Sequence, residues 1–265
     1  MIALVAAEGR RLLSTRLWIW ALLAALACGG GLVGLIGAVG PQNVDPPMPG
    51  LNTAEGVLSV LGLVTVTVVV PAALGAIAMT AEYRHQTISL TFLFVPRRWR
   101  ILTAKLIVFA GAGLVYGLTA ATTAGLALYG TSAAQGTSVG LGLSAVLELL
   151  LRIAVAMTGY AVLGVAVGAL LRNQVAALAV VIGYLYFLET AILAIPGATA
   201  IYPYLPGGAT ASITDFGYLT DAIAQQTGNA TGQPLPTAAG ALVLAAYTLL
   251  AATAAVALPL RRDVT

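Results

Sequence analysis

Six long apolar runs dominate the chain, at Leu17–Val39, Val57–Ala81, Leu106–Tyr129, Ile153–Leu171, Val175–Ile195 and Ala238–Leu260. A hydrocarbon layer of about 30 Å takes roughly 20 helical residues to cross, at about 1.5 Å each. The runs meet that length, and lipid offers backbone amides no partners outside their own segment, so all are predicted to be helices. The polar residues between them divide unevenly. Arg10, Arg11 and Arg16 precede the first run, and Arg84, Arg97, Arg98, Arg100 and Lys105 lie between the second and third. Arg172 separates the fourth from the fifth, and Arg261 and Arg262 follow the last. The alternate connections, 40–56, 130–147 and 196–237, contain no lysine or arginine. Basic residues mark the cytoplasmic side of membrane proteins, so both termini are expected in the cytoplasm. Arg152 alone departs from the pattern. Glu148 stands one helical turn before it, in position to pair, and a long side chain there can reach water.

Composition narrows the class. Hydrophobic residues make up 60% of the chain and charged residues 8%, against roughly a quarter charged in soluble domains. The expectation is an all-α, multi-pass membrane protein whose residues 1–265 form a single transmembrane domain. The single cysteine, Cys28, excludes an intrachain disulfide. The first apolar run is too long for a signal peptide, and no convincing cleavage site follows it, so it reads as a retained anchor. Residues 2–16 place Glu8, Arg11 and Thr15 on one helical face, which predicts a short interfacial helix ahead of the first span. The composition resembles that of a high-GC bacterium, which implies the bacterial plasma membrane.

Several chemistries are missing. The only lysine, Lys105, lacks the preceding glycines of a phosphate-binding loop, so the chain has no Walker A motif. The only histidine, His85, rules out paired-histidine zinc motifs. No serine sits in a GxSxG elbow. The reading is therefore a protein without an enzymatic site or a cofactor of its own, and no nucleic-acid partner is expected. Within the apolar runs the notable ionisable residue is Glu189, in the outer third of the fifth, with Tyr184 and Tyr186 close by in sequence. It reads either as a polar residue lining a pathway or as an interfacial glutamate hydrogen-bonded to a neighbouring helix. Gly30/Gly34, Gly113/Gly117 and Gly164/Gly168 have the small-residue spacing that lets helices approach closely. Pro71 predicts a kink in the second span. In the last external connection, Ile213, Phe216, Leu219, Thr220 and Ile223 recur at helical spacing over Thr210–Gln225, with Thr210 or Ser212 as the cap.

The segment from Glu82 to Lys105 holds six of the chain's twenty-one charges. Inside it Thr87–Val95 reads as a short helix stopped by Pro96, with Arg97, Arg98 and Arg100 following. Ile88, Leu90, Phe92, Leu93 and Phe94 are too apolar for a freely solvated loop. They suit either a lipid surface rich in anionic headgroups or a groove on a partner.

The order Ala81-Glu82-Tyr83-Arg84-His85, Thr87-Ile88, Pro96-Arg97-Arg98, Ala104-Lys105 resembles the segment between the second and third spans of type-2 ABC-transporter permeases. The likeness extends to the N-terminal helix, the six spans, the tight Leu171-Arg172-Asn173-Gln174 turn and the Tyr204-Leu205-Pro206-Gly207-Gly208-Ala209 stretch. That resemblance implies an exporter's membrane-spanning subunit, paired with a second permease copy and driven by a separate cytoplasmic ABC ATPase that binds ATP and Mg. It implies that Glu82, Arg84 and His85 form a polar gate, with Tyr83 beside them. Thr87, Ile88, Leu90, Phe92, Pro96, Arg97 and Arg98 would meet the ATPase. Glu189, Tyr184 and Tyr186 are the candidate pathway residues, and the cargo is expected to be hydrophobic or amphiphilic. The alternative is a secondary transporter, or a membrane scaffold whose basic loop binds lipid or a regulator.

Overall fold

The computed structural model describes residues 1–85, 98–228 and 232–257. Each expected apolar run is helical over its described residues, save Ile195 at the end of the fifth, and the described residues include six helices long and apolar enough to cross a membrane. In chain order the helices are α1 (Ile2–Ser14), α2 (Leu17–Val39), α3 (Ala54–Arg84) and α4 (Arg98–Ala134). They continue with α5 (Leu143–Leu171), α6 (Gln174–Ala194), α7 (Pro206–Thr214), α8 (Tyr218–Thr227) and α9 (Thr237–Ala257). No strand occurs among the described residues.

Helices α3, α4 and α5 outrun their apolar segments, α5 by ten residues at its start. The hydroxyl of Thr53 accepts the Gly56 amide at 3.0 Å, so α3 starts at a side-chain cap before the apolar run begins. At its other end α3 continues to Arg84. Residues 98–105, expected within the connecting loop, instead form the first two turns of α4. The apolar pattern missed them because it marks where lipid would be, whereas a helix persists wherever its polar side chains find partners. The expected short helix over Thr87–Val95 lies outside the described residues, as do Thr87, Ile88, Leu90, Phe92, Pro96 and Arg97 individually.

The centre of the molecule is α5. Two thirds of its apolar stretch is buried (67%), against 17% for α6 and for α9. Glycine explains how α5 can be so enclosed. A Cβ on Gly164 would stand 1.8 Å from the Ala72 carbonyl oxygen of α3, and one on Gly75 of α3 would stand 2.2 Å from the Ala161 oxygen of α5. Gly113 and Gly117 bring α4 against Ala161 and Ala154 of α5 in the same way. Close approach of this kind gains dispersion contact where no hydrophobic drive between helices exists. The glycine pairs named from sequence therefore face neighbouring helices of the same chain, with Gly30 and Gly34 set against Thr123 and Ala127 of α4.

Irregular turns fall where the sequence forces or permits them. Ahead of Pro71, residues Leu63–Val68 tighten into a 3₁₀ stretch. Proline has no amide for the carbonyl one turn back and crowds it sterically, so the preceding turn rewinds. Wider π turns interrupt α2 at Ala27–Gly31 and α6 at Gly183–Leu188.

The last long connection differs from its expected form. Thr210–Gln225 is two helices rather than one, divided at Asp215, whose φ is 52°. Neither Thr210 nor Ser212 caps a helix. Both lie inside α7, where their hydroxyls donate to the Pro206 carbonyl at 2.8 Å and the Gly208 carbonyl at 2.9 Å. Helix α7 begins with Pro206, whose missing amide costs nothing at a first helical position.

Candidate functional site

The arginine-rich sequence pattern converges on one end of the bundle, here termed the basic end, and the last turn of α3 is its hub. Glu82 is 1% exposed, and its Oε1 lies 2.6 Å from the Lys105 ammonium of α4 and accepts from Arg11 of α1 at 2.8 Å. Lys105, itself 2% exposed, also donates to Glu8 of α1 at 2.7 Å. Two carboxylates and two cations thus close a neutral cluster across three helices. Buried charges persist only when met in this way. The other oxygen of Glu82, Oε2, is buried without a hydrogen-bond partner.

The neighbouring residues of the same turn face elsewhere. Arg84 donates to Gln174 of α6 at 3.3 Å. Tyr83 lies beneath Arg172, whose guanidinium carbon is 6.0 Å from the ring centre, within cation–π range. His85 is exposed and ends α3. The α5–α6 turn that receives these contacts is short because Arg172 adopts φ 55° and Asn173 caps α6, accepting the Ala176 amide at 3.1 Å. Glu82, Tyr83 and Arg84 therefore do not form one cluster. They reach from a single turn to α1, α4 and the α5–α6 corner. Arg98 opens α4, and its neighbours Trp99 and Arg100 stack at 5.5 Å.

The opposite end carries the second constellation. Glu189, on α6, is 4% exposed and accepts the Gly207 amide at 3.1 Å. Gly207 is the second residue of α7, so the carboxylate of one helix satisfies an orphan amide at the start of another and opposes its positive dipole end. This geometry accounts for the Pro206-Gly207-Gly208 sequence. A Cβ on Gly207 would stand 1.8 Å from Glu189 Oε2, and one on Gly208 would stand 1.9 Å from the Tyr202 carbonyl oxygen. Tyr184, one turn before Glu189, interacts with its carboxylate through the phenol. Tyr186 points away from it and donates to the Val66 carbonyl at 3.0 Å, within the 3₁₀ stretch of α3.

Around Glu189 the structure adds residues that sequence reasoning missed. Tyr160 of α5 and Thr210 of α7 are buried and share a hydrogen bond at 3.2 Å. Burial, and then the nearby Glu189 carboxylate, holds the Tyr202 phenol above its ordinary range. These groups join Glu189 and Tyr186 around a cavity of about 120 Å³ bordered by α3, α5, α6, α7 and α8. Their separation along the chain gave no periodic signal. Further out, Arg152 bonds both Glu148 and, at 3.1 Å, Asp215. It also donates to the Ile213 carbonyl at 3.3 Å. The pairing with Glu148 follows from helical spacing, while Asp215 enters because its left-handed backbone ends α7 beside α5.

Among the described residues no three histidine, cysteine or acidic side chains come together as a metal site. The chain matches no protein-family model, and no curated protein is significantly similar to it.

Proposed function

We propose that this protein is the membrane-spanning subunit of an ATP-binding-cassette exporter, in which a separate ATPase acts on the segment between α3 and α4. The observation that supports this reading best is the hub at the end of α3. Both stems of the 86–97 connection, the N-terminal helix and the α5–α6 turn all touch one helical turn. A force applied to that connection would reach four parts of the bundle together, through a buried neutral cluster that resists separation. The α5–α6 turn offers little surface by comparison. The chain also lacks a phosphate-binding loop, so the energy for transport would come from its partner. Two permease copies, both termini in the cytoplasm and a location in the bacterial plasma membrane complete the proposed arrangement. ATP-driven closure of the partner would shift the helices between inward-open and outward-open states, each favoured by different contacts.

The test is co-purification with an ABC ATPase, followed by measurement of its ATP turnover in lipid. Arg84→Ala, which removes one exposed link and no buried charge, is expected to keep the complex assembled. Stimulated turnover should fall roughly tenfold, the equivalent of about 1.4 kcal/mol. Unchanged turnover in both Arg84→Ala and a folded Glu82→Ala variant would overturn the assignment.

A further inference from the structure

We propose that the cavity at Glu189 binds an organic cation, a tertiary or quaternary ammonium group, with Glu189 as its counter-ion. The cavity lies between α3, α5, α6, α7 and α8 and is lined by Thr65, Tyr160, Tyr186, Glu189, Tyr202 and Thr210. Its carboxylate is buried, yet its partners are the neutral Gly207 amide and the Tyr184 phenol. A carboxyl withdrawn from water beside neutral groups has no positive charge to hold it ionised, and a cation in the cavity would supply one.

The surrounding charges favour a cation over any other occupant. The three connections without lysine or arginine, 40–56, 130–147 and 196–237, and the helix ends beside them contain Asp45, Glu55, Glu148, Glu189, Asp215 and Asp221, against a single basic residue, Arg152. Arg152 is already shared between Glu148 and Asp215. A second cavity of about 340 Å³ adjoins the first, bordered in common by Tyr202, Phe216 and Thr220 and lined also by Asp215 and Asp221. Acidic walls of this kind raise the local concentration of cations and repel anions. The wall chemistry then selects among cations. Calcium takes about six to eight oxygen ligands, more than one carboxylate supplies with a few hydroxyls. Tyrosine rings beside a carboxylate instead suit an alkylated ammonium, which has little to gain from a complete oxygen shell and is attracted to aromatic faces.

Calling the bound cation a cargo rests on the exporter reading, but its binding does not, so the experiment omits both ATP and the ATPase. Purified full-length protein in lipid nanodiscs would be titrated with choline and with its uncharged carbon isostere, 3,3-dimethylbutan-1-ol. Choline is expected to bind about tenfold or more tightly than the alcohol. Glu189→Gln preserves the side chain's size and an acceptor for Gly207, and it should abolish that preference. Leu219→Trp, at a half-exposed position on the cavity rim, should weaken choline binding while leaving every charge in place. Equal binding of choline and the alcohol by the wild-type protein would overturn the proposal. Unchanged choline binding in folded Glu189→Gln would do so too. Should Glu189→Gln not fold, the wild-type comparison and Leu219→Trp decide the matter. Loss of the cation site with coupling to an ATPase intact would leave the exporter reading standing, and the reverse result would leave the site standing.

Discussion

Glu82 and Glu189 are both buried glutamates near the ends of apolar helices, yet the chain treats them in opposite ways. Glu82 meets two cations from two other helices, and its cluster is neutral and closed. Glu189 meets an amide and one phenol at the edge of a cavity. The first arrangement ties elements together, while the second leaves a carboxyl beside a cavity with no cation among its partners. Burial alone does not indicate what a carboxylate does. Its partners do.

The comparison can be broken most forcefully at the basic end. Lys105→Met removes the cation that Glu8 and Glu82 share, and losing one partner of a buried ion pair costs about 3–5 kcal/mol. Denaturant titration in mild detergent would measure this. The double variant Glu82→Met/Lys105→Met removes one charge of each sign and should recover most of the loss. Independent, additive effects would show that the two do not act as a pair.

Gly207→Ala probes the other end. The new methyl would overlap Glu189 Oε2 and push the carboxylate off the α7 amide, and a buried group left unsatisfied costs about 1–3 kcal/mol. Adding Glu189→Ala makes room for the methyl, so the two losses should sum to less than their separate values, read from the same titration. The smallest effect is expected at Arg152, whose partners Glu148 and Asp215 are more than half exposed. Arg152→Gln should cost about 1 kcal/mol or less, and added salt should shrink the difference further.

Much of the architecture was legible in the pattern of apolar runs, because a helix that must satisfy its own amides needs little from elsewhere. The same holds for Arg152 with Glu148 and for the glycine pairs, which are local spacings with a direct physical meaning. Three features were hidden. Residues 98–105 looked like loop because their charges suggested water, whereas Lys105 sits in the core facing Glu82. The division of the 206–227 segment at Asp215 depends on Pro206 setting the start of α7 and on Asp215 ending it. Most of the Glu189 cavity was invisible, since Thr65, Tyr160 and Tyr202 come from segments with no shared period. Sequence distance separates what folding unites.

The ion cluster at the basic end also imposes an order on synthesis. Glu8 leaves the ribosome 97 positions ahead of its partner Lys105. Arg11 waits 71 positions for Glu82. The N-terminal helix therefore cannot take its final seat until the third long helix has begun to emerge. Until then Glu8 has not met Lys105, while two long apolar helices are still being made. Closure of the cluster marks the moment when the first half of the bundle is complete.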